Sequence, residues 1–160
     1  MRYTISHTPI GDLVLAGDDA GLRRILFAAD PVPADWTLDP ALLPAARQQM
    51  AEYFAGTRRG FDLPLAPARR AAERACRRAL LEIPYGGTAS YGALAQRIGS
   101  PGAARAVGLA NNRNPLPIII PCHRVIGADG SLTGYGGGLP IKRHLLALEG
   151  ARADVQPMLL

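Results

Sequence analysis

The chain has 160 residues, 48% of them hydrophobic and 19% charged, so it can bury a core and form one or two small domains. No apolar run approaches the roughly 18 residues of a membrane helix, and the first residues lack a signal-peptide core, so we expect a cytoplasmic protein. Two cysteines, Cys76 and Cys122, are too few for a disulfide framework or a cysteine-rich zinc site.

The net charge of +5 is concentrated in the middle of the chain. Between residues 66 and 113, eight arginines stand against two glutamates. A basic surface of this kind suits a polyanionic partner such as a nucleic acid. A solvated helix face explains the same composition equally simply, so charge alone does not define the partner.

Short alternating segments in the first third predict a small antiparallel meander over residues 2–7, 12–16 and 22–27. A loop rich in proline and aspartate follows. Asp39 as N-cap and Pro40 at the first helical position then predict a helix that Gly56 ends. We place a domain boundary near the linker that ends at residue 66, which gives domains at 1–66 and 67–160.

Three further helices are predicted after this boundary. Pro67 begins an alanine-rich helix whose apolar stripe contains Cys76, which we interpret as a packing residue. Ser90 is the predicted N-cap of a helix over Tyr91–Ile98, and another helix covers Ala103–Ala110. Two short helices joined by a glycine-containing turn are typical of a helix-turn-helix. The second is nearly all alanine and glycine, which suits either close approach to a partner or packing in a core.

The chemistry of the chain is concentrated around a single cysteine. Ile118, Ile119 and Ile120 predict a short buried strand or extended segment, and a proline ends it just before Cys122. A thiol becomes a nucleophile when a base or a positive charge lowers its pKa, and His123 and Arg124 are the nearest candidates. A buried packing cysteine is the alternative, and this segment alone leaves both interpretations open.

A glycine-rich loop and a last helix follow the cysteine. The loop over residues 132–139 lacks the phosphate-binding pattern of a P-loop. Pro140 then begins a predicted helix with Ile141, Leu145 and Leu148 on one face. Glu149 lies beside that apolar stripe, so its carboxylate needs a partner. It either caps or pairs locally or orients His123, and the periodicity favours the local partner.

Taken together, these motifs resemble the O6-alkylguanine-DNA alkyltransferase family, also called methylated-DNA–protein-cysteine methyltransferases. The similarity runs collinearly from residue 83 to residue 149. Its central motif is Pro121-Cys122-His123-Arg124-Val125. The resemblance implies an α/β (α+β) fold of two small domains: an RNase H-like N-terminal domain, and a helical C-terminal domain with a winged-helix-like helix-turn-helix that binds DNA.

The resemblance also implies direct-reversal DNA repair without a cofactor or metal. Cys122 would take the alkyl group, typically methyl, from O6 of guanine irreversibly, in a single turnover that consumes the protein; O4 of thymine is left open as a second substrate. Glu149, His123 and Cys122 would form a hydrogen-bonded chain, usually with a water between imidazole and sulfur. Asn114 would bond the backbone around the cysteine, and Tyr91 would donate toward N3 of the guanine.

The implied partner is double-stranded DNA containing O6-alkylguanine, bound through the minor groove with the damaged base flipped out. Arg105 would fill the place that the base leaves. The protein would be a monomer, with cooperative assembly on DNA left open. The DNA-binding residues implied by the resemblance are Arg105, Ala103, Ala104 and Gly108. The residues implied for the substrate pocket are Val125, Tyr135, Gly136, Gly137, Pro117 and Asn111.

One helix departs from the family pattern. Where the family has Phe-Gln-x-x-Val-Trp, this chain has Ala72-Glu73-Arg74-Ala75-Cys76-Arg77, so two large aromatic side chains are missing. An alkyl acceptor or lesion-binding protein with an altered substrate, in a specialised pathway, is therefore an alternative. A Cys–His hydrolase that turns over repeatedly is a third.

Overall fold

The structure is a computed structural model that describes residues 1–100 and 102–151. It divides into two compact units, Met1–Ala66 and a second unit that begins at Pro67. Within the described ranges, no helix combines the length and the apolar character needed to cross a bilayer.

The first unit contains a four-stranded sheet and one helix. Its strands are β1 (Arg2–Ser6), β2 (Leu13–Asp18), β3 (Gly21–Leu26) and β4 (Thr37–Leu38), in the order β3-β2-β1-β4. The first three strands pair antiparallel, which confirms the predicted meander, and β4 pairs parallel to β1 within the segment predicted as loop. Helix α1 (Pro44–Phe54) buries a single stripe of Ala46, Met50 and Tyr53.

The prediction that α1 begins at Asp39 and Pro40 is wrong. Asp39 instead forms a turn, in which its Oδ1 accepts a hydrogen bond from Ala41 N and its carbonyl accepts one from Leu42 N. Leu43 is the N-cap, in a left-handed conformation with φ 51°, and Pro44 opens the helix. A residue before proline is disfavoured in the helical conformation, so a helix cannot pass smoothly from 40 through 43.

The second unit is mainly helical. Its elements are α2 (Ala71–Leu81), β5 (Ala89–Ser90), α3 (Tyr91–Ile98), α4 (Ala104–Asn112), a 3₁₀ turn (Cys122–Arg124), β6 (Val125–Ile126) and α5 (Leu139–Leu148). The two short strands β5 and β6 pair in parallel. Helices α3 and α4 pack against each other, as predicted for a helix-turn-helix. Ser90 caps α3 as predicted, since its Oγ accepts a hydrogen bond from Ala93 N at 3.0 Å.

Helix α2 starts later than its proline suggested. It begins at Ala71 instead of Pro67, and the Arg74 guanidinium donates back to the Arg69 carbonyl at 2.9 Å. Proline fits the first turn of a helix, but Ala66 before it offers no side-chain acceptor to cap the free amides. Cys76 lies on the buried face, as the interpretation of a packing residue requires.

The three isoleucines do not form the predicted strand. All three are buried, but they lie in a turn in which Ile120 N donates to Leu116 O at 3.0 Å and Ile118 has φ 76°. Asn114 holds this turn: its Oδ1 accepts from Leu116 N at 3.0 Å and its Nδ2 donates to Ile120 O at 2.7 Å. A β-branched residue at positive φ costs about 1–3 kcal/mol, so these contacts maintain a strained backbone directly before Pro121.

Candidate active site

Cys122 is held at the start of the 3₁₀ turn by backbone contacts on both sides. Its amide donates to Ile120 O at 2.7 Å, and its carbonyl accepts a hydrogen bond from Asn111 Nδ2 at 3.2 Å. Pro121 precedes Cys122, and β6 begins three residues after it, so the cysteine lies between the strained turn and a strand. The residue is only 4% exposed.

The next two residues of the turn bind one buried carboxylate. His123 Nε2 lies 2.8 Å from Glu149 Oε2, and Arg124 donates from Nε to Oε1 at 2.8 Å and from Nη2 to Oε2 at 2.9 Å. The Arg124 Nη1 atom also donates to Ile83 O at 2.7 Å. The side chains of His123 and Glu149 are fully buried. Glu149 therefore binds residues 25 and 26 positions earlier in the chain. The prediction of a local partner, which periodicity favoured, is wrong.

The charge state of this network follows from its contacts. Burial alone would raise the pKa of Glu149, but hydrogen bonds and charges from His123 and Arg124 outweigh it and lower that pKa to about 2. Burial lowers the pKa of His123, with Arg124 and Lys142 adding to the effect and Glu149 opposing it. At neutral pH the network thus consists of a carboxylate, a guanidinium and a neutral imidazole.

This charge state fixes the tautomer of the imidazole. A carboxylate only accepts hydrogen bonds, so His123 Nε2 must carry the proton and Nδ1 must carry a lone pair. Among the residues that the structure describes, none bonds Nδ1, although this atom is buried. The site therefore holds a proton acceptor, oriented by Glu149, on the residue that follows the thiol.

Lys142 belongs to the site, and the sequence interpretation missed it. Its side chain is completely buried, and Nζ donates to Val125 O at 2.5 Å and to Thr133 O at 3.0 Å. Burial lowers its pKa to about 8, against the opposing effect of the Cys122 charge. The buried residues of α5 are Lys142, Leu145 and Leu146. Leu145 was predicted to be buried, but the prediction is wrong for Ile141 and Leu148, which are partly exposed. The spacing from 142 to 145, 146 and 149 was the available signal.

Burial disfavours ionisation of the Cys122 thiol, whereas neighbouring groups favour it. Burial raises the pKa of Cys122, while hydrogen bonds from the side chains of Asn114 and Tyr135 and the positive charge of Lys142 act to lower it. Arg124, one of the two residues predicted to activate the thiol, is directed instead to Glu149 and Ile83.

Among the remaining residues of the predicted site, Tyr91 and Val125 are connected to Lys142 by hydrogen bonds. Tyr91, at the start of α3, accepts a hydrogen bond from Thr133 Oγ1 at 3.1 Å, and the Thr133 carbonyl accepts one from Lys142. Val125 and Pro117 are buried. Gly136 and Gly137 form a turn in the glycine-rich loop, closed by the Gly138 amide bonding the Tyr135 carbonyl at 2.9 Å.

The residues predicted to bind DNA lie on and beside α4. Arg105 is exposed, and Ala103, Ala104 and Gly108 are partly exposed. A Cβ placed on Gly108 would lie 3.5 Å from the Tyr91 ring, so this glycine packs against α3 as well as presenting a smooth surface. Val107 and Asn111 occupy the buried face of the same helix.

Each of the two units matches a family model. Residues 1–67 match the ribonuclease-like domain of 6-O-methylguanine DNA methyltransferase, and residues 71–151 match its DNA-binding domain. The fold and the cysteine site thus define a two-domain α/β protein with a ribonuclease-like domain followed by a DNA-binding domain, as predicted.

Individual relatives are similar to this chain over nearly its whole length. A methylated-DNA–protein-cysteine methyltransferase of Methanosarcina acetivorans is 50% identical over 155 residues, which are 94% of this chain and 99% of the relative. Its counterpart in Mycobacterium tuberculosis is 49% identical, covering 96% of this chain and 94% of that one. A crystal structure of Mycobacterium tuberculosis OGT in complex with DNA superimposes with a TM-score of 0.89 at 49% identity, covering 96% and 97% of the two chains.

This chain belongs to the 6-O-methylguanine DNA methyltransferase family.

Proposed function

We propose that the protein repairs O6-alkylguanine in DNA by direct reversal, with Sγ of Cys122 as the irreversible acceptor. The observation that supports this most strongly is the buried network of Glu149, His123 and Arg124 beside the cysteine, in a chain of this family. Relatives that are about 50% identical carry the name methylated-DNA–protein-cysteine methyltransferase.

The proposed reaction is a single displacement. The Cys122 thiol loses its proton to Nδ1 of His123, directly or through one water molecule, and Glu149 stabilises the imidazolium that forms. The sulfur attacks the alkyl carbon, a carbon–sulfur bond forms, and the bond from carbon to O6 breaks. The electron pair of that bond remains on the guanine, where the Tyr91 hydroxyl donates a hydrogen bond to N3 as negative charge develops, and the anion then takes up a proton from water to give guanine.

Asn114 and Lys142 act on the sulfur in this mechanism. The Asn114 side chain holds the preceding turn and reaches the thiol, and the Lys142 charge favours the thiolate. The product is a thioether, which offers no good leaving group and which nothing in the proposed mechanism reverses. One chain therefore repairs one lesion.

The base reaches the sulfur only after leaving the helix stack, which costs a few kcal/mol. We place α4 in the minor groove, where its alanine and glycine surface allows close approach and Arg105 can occupy the vacated position. Because minor-groove contacts discriminate weakly among sequences, the protein can scan DNA for damage. A protein of the family has a structure in complex with DNA, which supports DNA as the partner.

We propose that Val125, Tyr135, Gly136 and Gly137 line the pocket for the flipped base. The buried residues Asn111 and Pro117 would pack behind this lining. Because Cys122 is 4% exposed, entry of a guanine requires part of this wall to move. The glycine-rich loop around Gly136 consists mainly of irregular backbone, and we assign the movement to it.

All the groups proposed for chemistry come from one unit of one chain, so a monomer is sufficient for the reaction. Since the substrate lies in chromosomal DNA and the acceptor must be a reduced thiol, we place the protein in the cytoplasm.

The test is intact-mass spectrometry after incubation with a duplex oligonucleotide carrying O6-methylguanine. The protein should gain the mass of one CH₂ unit, located on the peptide that contains Cys122. Cys122→Ala should abolish the gain, whereas Cys76→Ala, which changes the other buried cysteine, should retain it. No gain from protein with a reduced thiol would contradict the proposal, and repeated turnover on an ester would favour a hydrolase.

A further inference from the structure

A hollow lies in the DNA-binding unit, between α2 and α4. It has a volume of about 320 Å³ and reaches the turn before the acceptor cysteine at Ile120. Its apolar lining includes Cys76 and Leu80 from α2 and Leu109 from α4. Leu109 is 52% exposed, so this part of the apolar lining is open to solvent. We call this hollow the α2–α4 groove.

The groove lies where this chain departs from the pattern of its family. Ala72 and Arg77 both line it, and they occupy the positions at which the family pattern has phenylalanine and tryptophan. Each of these aromatic residues buries about 150–250 Å² when it packs in a core. Their replacement by a methyl group and a flexible cation accounts for an open apolar space on a helix that would otherwise be covered.

The rim of the groove is positively charged. Among the lining residues that the structure describes, Arg70, Arg77 and Arg113 are basic and Glu73 alone is acidic. Arg70 Nε and Glu73 Oε1 lie 4.0 Å apart, and both side chains are more than half exposed. Burial lowers the pKa of Arg77, against the opposing effect of the Glu73 charge, so part of this guanidinium has lost water beside the apolar lining. A negatively charged group on a partner would add a favourable interaction with the arginines of this rim.

We propose that the α2–α4 groove docks an acidic segment of another protein, which inserts an aromatic side chain between the two helices. The space fits because it is about the size of one or two such rings, and the arginine rim complements carboxylates. Aromatic side chains that fill desolvated pockets near the centre of an interface are typical binding hot spots.

A protein segment suits the groove better than a nucleic acid does. Single-stranded bases bind by stacking on aromatic side chains, and none of the described residues that line this groove is aromatic. A duplex is too wide to enter a space of this size. Docking is also compatible with DNA binding, because the groove uses the face of α4 that carries Leu109 and Arg113, and Arg105 is not among its lining residues.

The experiment measures fluorescence anisotropy of a labelled probe peptide against the full chain. The probe is a short flexible peptide in which aspartates flank a Phe-Trp pair. One control peptide replaces the two aromatic residues by alanine, and another replaces the aspartates by asparagine. A single-stranded oligonucleotide of matched charge serves as competitor.

Two double variants separate filling of the groove from a general change in charge. Ala72→Phe with Arg77→Trp restores the family residues and fills the groove. Ala51→Phe with Arg78→Trp makes the same changes of residue type at exposed positions outside it. Both variants should transfer a methyl group normally, which shows that they are folded.

The filled variant should bind the probe at least about tenfold more weakly, and the outside variant should bind within about twofold of the parent chain. Each control peptide should also bind about tenfold more weakly than the probe. The proposal fails if the parent chain does not bind the probe, if the filled variant binds as tightly, or if the alanine peptide binds equally well. More effective displacement by the oligonucleotide than by unlabelled probe would also overturn it, in favour of a nucleic-acid site.

Discussion

Replacing Glu149 by glutamine tests the buried network, because both His123 and Arg124 bind this carboxylate. The substitution keeps the shape of the side chain but removes its charge, so the Arg124 guanidinium, which is 10% exposed, loses its carboxylate partner. The amide can also donate to His123 Nε2, so the tautomer with a lone pair on Nδ1 is no longer imposed. One change should therefore affect both stability and transfer.

The cost to stability follows from the pKa of the carboxyl group. Folding lowers it from 4.5 to about 2, and one pKa unit corresponds to 1.36 kcal/mol, so the contribution is about 3 kcal/mol. Breaking a buried ion pair by removing one partner typically costs 3–5 kcal/mol, which agrees. For a chain of this length, about 3 kcal/mol lowers Tm by roughly 6–12 °C.

The lowered pKa of Glu149 also determines how its contribution to stability changes with pH. Because the folded pKa of Glu149 lies below its unfolded value, the contribution is fully present above pH 4.5 and is lost as pH falls toward 2. Urea unfolding followed by far-UV circular dichroism should thus show a difference between parent and variant at pH 7 that shrinks below pH 4.5. Single-turnover transfer at pH 7 should be slower in the variant.

Glu82→Gln is the matched control. It breaks the Arg97–Glu82 pair in the same unit, at side chains that are nearly half exposed, and should cost less than about 1 kcal/mol. The reasoning is refuted if Glu149→Gln costs no more than this control, or if its cost does not change between pH 7 and pH 3.

Three further variants test other parts of the chain. Lys142→Met should raise the pKa of the Cys122 thiol, slowing its alkylation by iodoacetamide at pH 7 about tenfold, whereas the exposed neighbour Arg143→Met should not; equal rates would remove Lys142 from the site. Ser90→Ala removes the N-cap of α3 and should lower the unfolding free energy by about 1 kcal/mol in urea unfolding, and an unchanged value would show that the cap contributes nothing. Arg105→Ala should slow repair of duplex DNA more than reaction with free O6-benzylguanine, because only the duplex requires base flipping; equal losses would refute the role.

Local signals in the sequence were reliable where one residue determines the backbone. Ser90 was predicted as a cap and is one, and α3 has the predicted bounds because its serine, apolar spacing and terminal Gly99 agree. Helix α1 shows the limit of such signals. Two prolines four residues apart could each begin it, and only the restriction that Pro44 places on Leu43 distinguishes them.

The contacts around the cysteine depended on residues distant in sequence. Three isoleucines predicted burial correctly but extended backbone incorrectly, because Asn114 supplies from its side chain the hydrogen bonds that a neighbouring strand would have made. The partner of Glu149 lies in another element, so helical periodicity carried no information about it. Lys142 was overlooked because a charged residue at the edge of an apolar stripe is ordinarily taken to be exposed.

The site combines a thiol that is disfavoured as an anion with several groups that favour the anion. Burial raises the pKa of Cys122, which keeps it protonated at rest and limits reaction with oxidants and stray alkylating agents. For an acceptor that is used once, such protection matters because any side reaction removes the molecule permanently. The groups that favour the thiolate, Lys142 and the side chains of Asn114 and Tyr135, are already in place. In the proposed mechanism, a bound base that excludes water strengthens their electrostatic effect, so proton transfer to His123 is favoured at the moment the substrate is present.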